Sequence, residues 1–361
     1  MQLKNLGWSK PFAHSFEPYA KQGYRVGRVA MAHRGQYQLY TEQGECSATL
    51  TGKFRHQAKA AEDFPAVGDW VVIHPRTETS QALIEAVLPR KGQFSRQAAG
   101  TKNEAQIIAA NIDTLFLVSG LDHDFNLRRI ERYLVMAWQS AATPVIILNK
   151  ADLCEDLEDK IIAVEEIAIA VPILTLSALY QNNLEALSPY LQPGKTIALL
   201  GSSGVGKSTL TNKLIGQSIQ TTQAVRADDS RGRHTTTHRE MLKLPSGALL
   251  IDTPGMRELQ LWSNRQHSDE QPIDTLGETF SEIEELAQQC RFRNCQHGSE
   301  PGCAIQSALE AGTLSIKRLR SYQKLQREQA HQHRRQNKQA SSNAKARWKH
   351  ITQKIRQQRK D

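Results

Sequence analysis

The stretch Lys195-Thr196-Ile197-Ala198-Leu199-Leu200-Gly201-Ser202-Ser203-Gly204-Val205-Gly206-Lys207-Ser208-Thr209 decides the fold. It opens as a short apolar run of the kind that forms a strand buried on both faces. It then fits G-x-x-x-x-G-K-[ST] and passes into the apolar-periodic STLTNKLIG. Strand, glycine turn and helix in that order make a P-loop. The glycines let consecutive backbone N–H groups curl around a phosphate at a helix N-terminus, and Lys207 adds a positive charge for the outer phosphates. The Ser208 hydroxyl can ligate magnesium, and Thr209 lies within reach of the α-phosphate. The bare pattern arises by chance in roughly one chain in a hundred of this length, so the flanking strand and helix are what make it an assignment.

Working outward, TLFLVSGL (114–121), PVIILNK (144–150), VPILTLS (171–177) and ALLIDT (248–253) read as further strands of a parallel sheet. Helical stretches are expected at 127–140, 155–170 and near 183–190, which gives an α/β domain over 112–265. A P-loop alone does not name the base. Asn149-Lys150-Ala151-Asp152 does, because it leaves the carboxyl end of a buried strand, where a loop faces bound nucleotide. The Asp152 carboxylate can accept from guanine N1–H and its 2-amino group; adenine offers an acceptor at N1 and no such amine. A buried carboxylate left unpaired is costly, which makes the site discriminating. Lys150 would lie along the base plane, Asn149 would tie this loop to the P-loop, and Ser177-Ala178 would add backbone contacts to the base.

Asp252-Thr253-Pro254-Gly255 ends a strand as D-x-x-G, with Asp252 expected to hold magnesium through water and the Gly255 N–H to meet a γ-phosphate. Between it and the P-loop lies Arg231-Gly232-Arg233-His234-Thr235-Thr236-Thr237, where a first switch belongs, with Thr236 favoured to complete the magnesium shell. Met256 stands where Ras has its water-orienting glutamine, and a thioether cannot position water. His234 is the favoured replacement, the alternative being that it contacts RNA or solvent. Because N-K-x-D precedes the P-loop, the GTPase domain is circularly permuted relative to Ras. Its new chain ends feed the second switch into the segments that follow.

Upstream, from Tyr24 to about Leu88, five short β-rich segments separated by Gly, Pro and polar turns suggest a small closed OB-like barrel. Such barrels bind oligonucleotides or act as docking modules. Residues 1–23 show no regular pattern, and 91–111 read as a linker. Downstream, Cys290-x4-Cys295-x-His297-x5-Cys303 bunches three thiols and an imidazole around a tight turn, a set suited to one closed, structural zinc. Free buried cysteines or a redox pair are the alternatives; Cys46 and Cys154 are isolated and read as structural. A long polar helix is expected from near Leu309, with Ile316, Leu319, Tyr322 and Leu325 as its apolar stripe, so that 266–335 form a helical zinc-binding domain.

The charge is uneven. The whole chain of 361 residues carries +9, yet Lys317 to Asp361 hold fifteen Lys/Arg against two acids, leaving a net −4 elsewhere. A basic tail (336–361) of that density is drawn to nucleic acid by counterion release, or else is simply a solvated, disordered terminus. No apolar run approaches the roughly 18 residues of a membrane span, and the first residues lack a secretory pattern, so a cytoplasmic protein without membrane contact is expected.

With the barrel, the permuted motif order, R-G-R-H-T-T-T, D-T-P-G-M-R-E and C-x4-C-x-H-x5-C together, the chain resembles the ribosome-small-subunit-dependent GTPase A family over about residues 24–330. The resemblance implies an α/β P-loop GTPase domain flanked by an N-terminal OB-fold and a C-terminal zinc domain. It implies action in late maturation of the small ribosomal subunit, with GTP hydrolysis stimulated by that subunit. Asn149 to Asp152 and Gly201 to Thr209 would bind GTP or GDP with magnesium, and Cys290, Cys295, His297 and Cys303 would bind zinc, in a chain acting as a monomer on the subunit and its rRNA. Gly204 replaces the P-loop asparagine of potassium-activated GTPases, so potassium dependence is not implied. The rival readings are a GTP-gated RNA-binding module with incidental hydrolysis and a GTPase acting on tRNA.

Overall fold

A computed structural model describes residues 2–33, 35–75, 81–97, 105–216, 240–252, 275–298 and 300–331. They fall into two compact units, one from residues 1–96 and 106–259, the other from 97–105 and 260–361.

The first unit begins with α1 (Lys10–Ala20) and the strands β1 (Arg25–His33), β2 (Gln36–Thr41), β3 (Gly44–Leu50), β4 (Trp70–Pro75) and β5 (Gln81–Val87), with the short α2 (Gly52–Gln57) after β3. β1–β2, β2–β3 and β4–β5 pair antiparallel and β3–β5 parallel. An antiparallel β1–β4 pairing closes the ring. Val29, Leu39, Val71 and Ile84 fill its interior. Residues 1–23, without pattern in the sequence, hold a helix. Pro11 sits in its first turn, Phe12 is buried, and Trp8 packs edge-on against Trp70 at 4.6 Å between ring centroids. Those aromatics gain their burial from Trp70, far along the chain, so no local periodicity announces them.

Arg28 of β1 is fully buried and donates to three backbone carbonyls, those of Leu6, Gly68 (3.3 Å) and Asn111 (3.1 Å). Burial lowers its guanidinium to about 10, opposed by Asp113 and Asp69. It therefore joins the N-terminal segment, the barrel and the entry to the α/β sheet. At Gly68 (φ +93°) any Cβ would meet the Ala110 carbonyl at 2.1 Å, so only glycine fits. The expected linker carries β6 (Gln93–Gln97) and β7 (Ala105–Ala110), paired as a two-stranded ribbon with Phe94, Ile107 and Ile108 buried.

Next come β8 (Thr114–Gly120), α3 (Leu127–Gln139), β9 (Thr143–Asn149), α4 (Leu157–Glu165), β10 (Ile173–Leu176), β11 (Thr196–Leu200), α5 (Lys207–Ile215), β12 (Glu240–Lys243) and β13 (Leu249–Asp252). The order is β10-β9-β8-β11-β13-β12, parallel except for β12. The helix expected near 183–190 is a 3-10 segment, Leu184–Tyr190, with Pro189 inside it. β12 also pairs with β1 at Met31 and Glu240, so barrel and α/β domain share one continuous eleven-stranded sheet. Tyr40 Oη donates to the Met241 carbonyl (2.9 Å) at that joint, and Lys243 Nζ lies 3.6 Å from the Tyr40 ring centroid.

The second unit contains α6 (Thr275–Thr279), α7 (Ser281–Gln288), α8 (Ala304–Glu310) and α9 (316–331). The single helix expected from near Leu309 is thus two, broken where Gly312 takes φ 73°. Leu319, Tyr322 and Leu325 are buried as the stripe predicted, but Ile316 is exposed. Arg318 instead enters the core, stacked on Phe280 and bound to Glu282 (2.6 Å) and the Thr279 carbonyl (2.6 Å). Among the described residues no helix is long and apolar enough to cross a membrane.

Candidate functional site

The P-loop leaves β11 at the carboxyl edge of the parallel strands, where Leu200 pairs with Leu117 of β8. Gly204 and Gly206 adopt φ of 79° and 97°. At Gly206 a Cβ would also meet Asn149 Nδ2 at 2.3 Å, so the loop needs glycine there for both conformation and space. Val205 is buried beneath the loop, Ser203 and Gly204 are exposed on it, and Ser208 and Thr209 are half-buried in the first turn of α5. Lys207 Nζ donates to the carbonyls of Gly201 (2.6 Å) and Ser202 (2.5 Å).

Asn149, the last residue of β9, is buried and bridges three loops. Its Nδ2 donates to the Val205 carbonyl (2.7 Å), and its Oδ1 accepts from the Ala178 N–H (2.9 Å). N-K-A-D, S-A and the P-loop are thereby one piece. Ser177 and Ala178 are buried, while Ala151 and Asp152 form a 3-10 turn with Asp152 exposed. Lys150 is left-handed (φ 64°), a conformation that costs a non-glycine residue of order 1–2 kcal/mol. Of the remaining sequence-derived positions, Asp252 ends β13; its side chain, Gly255, His234 and Thr236 lie outside the described residues.

The sequence reading missed the loop after β8. Asp122 receives Lys150 Nζ at 2.5 Å on Oδ2 and the Asp124 N–H (3.1 Å) on Oδ1. Asp124 in turn accepts from Arg129 Nη1 (2.6 Å) and from the Ser202 hydroxyl, which also receives Arg129 Nη1 at 2.9 Å. Against the pull of burial, Lys150 and the Asp124 N–H hold the Asp122 carboxyl below the usual carboxylate range, and Arg129 with Ser202 does the same for Asp124. The only available signal was the density of charge in LDHDFNLRR, which does not say what each charge meets.

In the second unit the donor atoms of Cys290, Cys295, His297 and Cys303 lie within 4.8 Å of one another. Cys290 Sγ is 3.6 Å from His297 Nδ1 and 3.9 Å from Cys303 Sγ, and Cys303 Sγ is 3.8 Å from the same nitrogen. Zinc bonds of about 2.3 Å to sulfur and 2.0 Å to nitrogen imply tetrahedral edges of about 3.5–3.8 Å, so the donor set fits that ion. The Gln306 amide fixes the turn by donating to the His297 carbonyl (2.6 Å). On the barrel, a groove of about 440 Å³ has a mixed lining, polar at His33, Gln36, Gln38, Ser47 and Gln81 and apolar at Met31, Tyr37 and Ala48.

A family model described as RsgA GTPase matches residues 87–262. A second, described as ABC transporter, matches 184–358, a span that shares the P-loop with the first. The small ribosomal subunit biogenesis GTPase RsgA of Opitutus terrae is 48% identical over 98% of this chain and 96% of its own length. The chain belongs to the RsgA GTPase family. An RsgA 2 protein of Lactiplantibacillus plantarum is 49% identical over 86% of the chain and 85% of its own length. Two solved structures agree in fold with this RsgA-family chain. YjeQ from Thermotoga maritima has a TM-score of 0.61 at 30% identity, covering 84% of this chain and 97% of that one. YloQ, described as a circularly permuted GTPase, has a TM-score of 0.61 at 26% identity, covering 85% and 96%. The permuted order inferred from N-K-x-D preceding the P-loop is the order of this RsgA-family fold, with β9 before β11 in the chain and both bordering one site.

Proposed function

We propose that the protein is a GTPase of late small-subunit maturation, one that binds the small ribosomal subunit through its rRNA and uses hydrolysis to time its release. The observation that carries the nucleotide half of this reading is the Asn149 bridge, which holds the base-reading loop and the phosphate loop at one end of the sheet. The subunit half rests on the names of relatives that match nearly the whole chain.

Asp152 accepts from guanine N1–H and its 2-amino group, Lys150 lies along the base, and the Ala151, Ser177 and Ala178 backbone closes around it. Gly201 to Gly206 present N–H groups to the phosphates, and Lys207 exchanges its loop carbonyls for phosphate oxygens; Thr209 reaches the α-phosphate. Ser208, Thr236 and, through water, Asp252 would hold magnesium, which neutralises charge building on the phosphate oxygens. The Gly255 N–H meets the γ-phosphate, and His234 orients the attacking water in place of the missing glutamine. Hydrolysis is slow until the subunit settles His234. Cys290, Cys295, His297 and Cys303 would hold one structural zinc that replaces a hydrophobic core in the 290–303 turn.

Along the chain the barrel (24–90) and the zinc domain (266–335) lie on either side of the GTPase domain (112–265), and the amide and hydroxyl side chains in the barrel groove suit hydrogen bonding to unstacked bases. The protein acts as a cytoplasmic monomer. Measuring GTP turnover with and without purified small subunits tests the proposal. Strong stimulation is expected; binding without stimulation would favour a GTP-gated RNA-binding module, and absence of binding would favour a tRNA substrate.

A further inference from the structure

The loop after β8 offers an inference about how the base site is held, and it rests on the reading of Asn149 to Asp152 as the guanine reader. Three facts meet there. Lys150 would have to lie flat along a base, yet it is a flexible side chain on a left-handed backbone, and a free lysine gives up rotamer freedom when it is fixed. Its ammonium is bound to Asp122 Oδ2 at 2.5 Å, with side chains only 23% and 12% exposed. That is too sheltered for the near-worthless pairing of two solvated surface charges.

The carboxylate is itself fixed. Its other oxygen accepts the Asp124 N–H, and the Phe125 N–H donates to its backbone carbonyl (3.0 Å). The loop is then fastened at both ends of the nucleotide site. Leu121 N–H donates to the Asn149 carbonyl (2.8 Å) beside the base reader, and Asp124 with Arg129 grips the Ser202 hydroxyl of the P-loop.

We propose that Asp122 is a positioning residue for guanine recognition, one that orients Lys150 against the base from a loop anchored to the phosphate loop through Asp124 and Ser202. Asp122 touches no substrate atom. It acts by removing the freedom of the side chain that does, and the Asp124 anchor keeps the distance between base contact and phosphate contact constant.

The test is a double-mutant cycle on the full-length protein with magnesium, titrated with GDP. Asp122→Ala is expected to weaken GDP binding about tenfold in the wild-type background and by no more than about twofold when Lys150 is already alanine, because contacting residues are non-additive. Asp122→Asn, which keeps the shape and one acceptor but not the charge, should fall between wild type and alanine. Thermal melts of each variant separate loss of fold from loss of positioning. An equal loss in both backgrounds would mean that Asp122 supports the fold generally, and no loss would mean that the pair is inert; either overturns the proposal.

Asp152→Asn serves as the control, since an amide in place of the carboxylate pairs with the 2-carbonyl of xanthine. A gain of xanthosine diphosphate binding together with additive Asp122 and Lys150 losses overturns this inference alone. No gain overturns the guanine-reader assignment and this inference with it.

Discussion

Replacing Asn149 by alanine removes both arms of the bridge between the Asn149–Asp152 loop, the Ser177-Ala178 loop and the P-loop. Two buried backbone groups lose their partner, the Val205 carbonyl at 2.7 Å and the Ala178 N–H at 2.9 Å. Each unsatisfied buried group costs about 1–3 kcal/mol, so the pair costs about 2–6 kcal/mol. Water admitted to the small void should bring the effect toward the lower end. At about 2 kcal/mol, GDP affinity falls about 30-fold if the whole effect appears in binding. If the loops stay together without nucleotide, part of it appears as lost stability instead, and the two losses should sum to the same figure. Titration calorimetry with GDP and urea unfolding of the nucleotide-free protein measure the two parts. Asn149→Asp should be worse than alanine, because it sets a carboxylate against the Val205 carbonyl. An Asn149→Ala protein that binds GDP within about twofold of wild type and unfolds at the same urea concentration would refute the bridge as the element that assembles the site.

Arg28→Met leaves the carbonyls of Leu6, Gly68 and Asn111 without their shared donor and should cost about 3 kcal/mol in urea unfolding. Tyr40, raised by burial to about 12 from 10.0, keeps its proton in the folded state while the unfolded chain ionises. Its contribution is therefore full below pH 10 and lost as the pH rises to about 12, and Tyr40→Phe should flatten that part of the stability profile. Tyr37 and Tyr133, also raised by burial, will keep some slope. Cys303→Ser should lower bound zinc from about one equivalent to none by elemental analysis, with GDP affinity unchanged. His234→Ala should retain GDP binding and lose at least about 100-fold of subunit-stimulated turnover, and full stimulation would remove His234 from the mechanism.

What the sequence made legible was whatever is encoded locally. β8, β9, β11 and β13 are continuous apolar runs, and the P-loop is a contiguous string whose glycines have a steric reason. The cysteine cluster spans fourteen positions, so its ligands could be read together. Most of the missed features depend on partners far along the chain. α1 is stabilised by Trp70; Arg28 looks like an ordinary strand arginine until three carbonyls from Leu6, Gly68 and Asn111 converge on it. β12 has only four residues and gains its place from neighbours on both sides, β13 and β1. Asp122 meets Lys150 across 28 positions and Asp124 meets Ser202 across 78, separations over which no spacing rule operates. Gly312 split the C-terminal helix in two, a local break that the apolar stripe did not reveal because Ile316, Leu319, Tyr322 and Leu325 all lie beyond it.

The joint between β12 and β1 bears on how the protein can be cut. A fragment begun near residue 112 to isolate the nucleotide-binding half would strip β12 of its outer neighbour and leave the Met241 carbonyl without the Tyr40 hydroxyl. An exposed, unsatisfied strand edge invites pairing with another molecule. Such a fragment would be expected to self-associate, and retaining the barrel is the way to keep that edge covered while the nucleotide site is studied on its own.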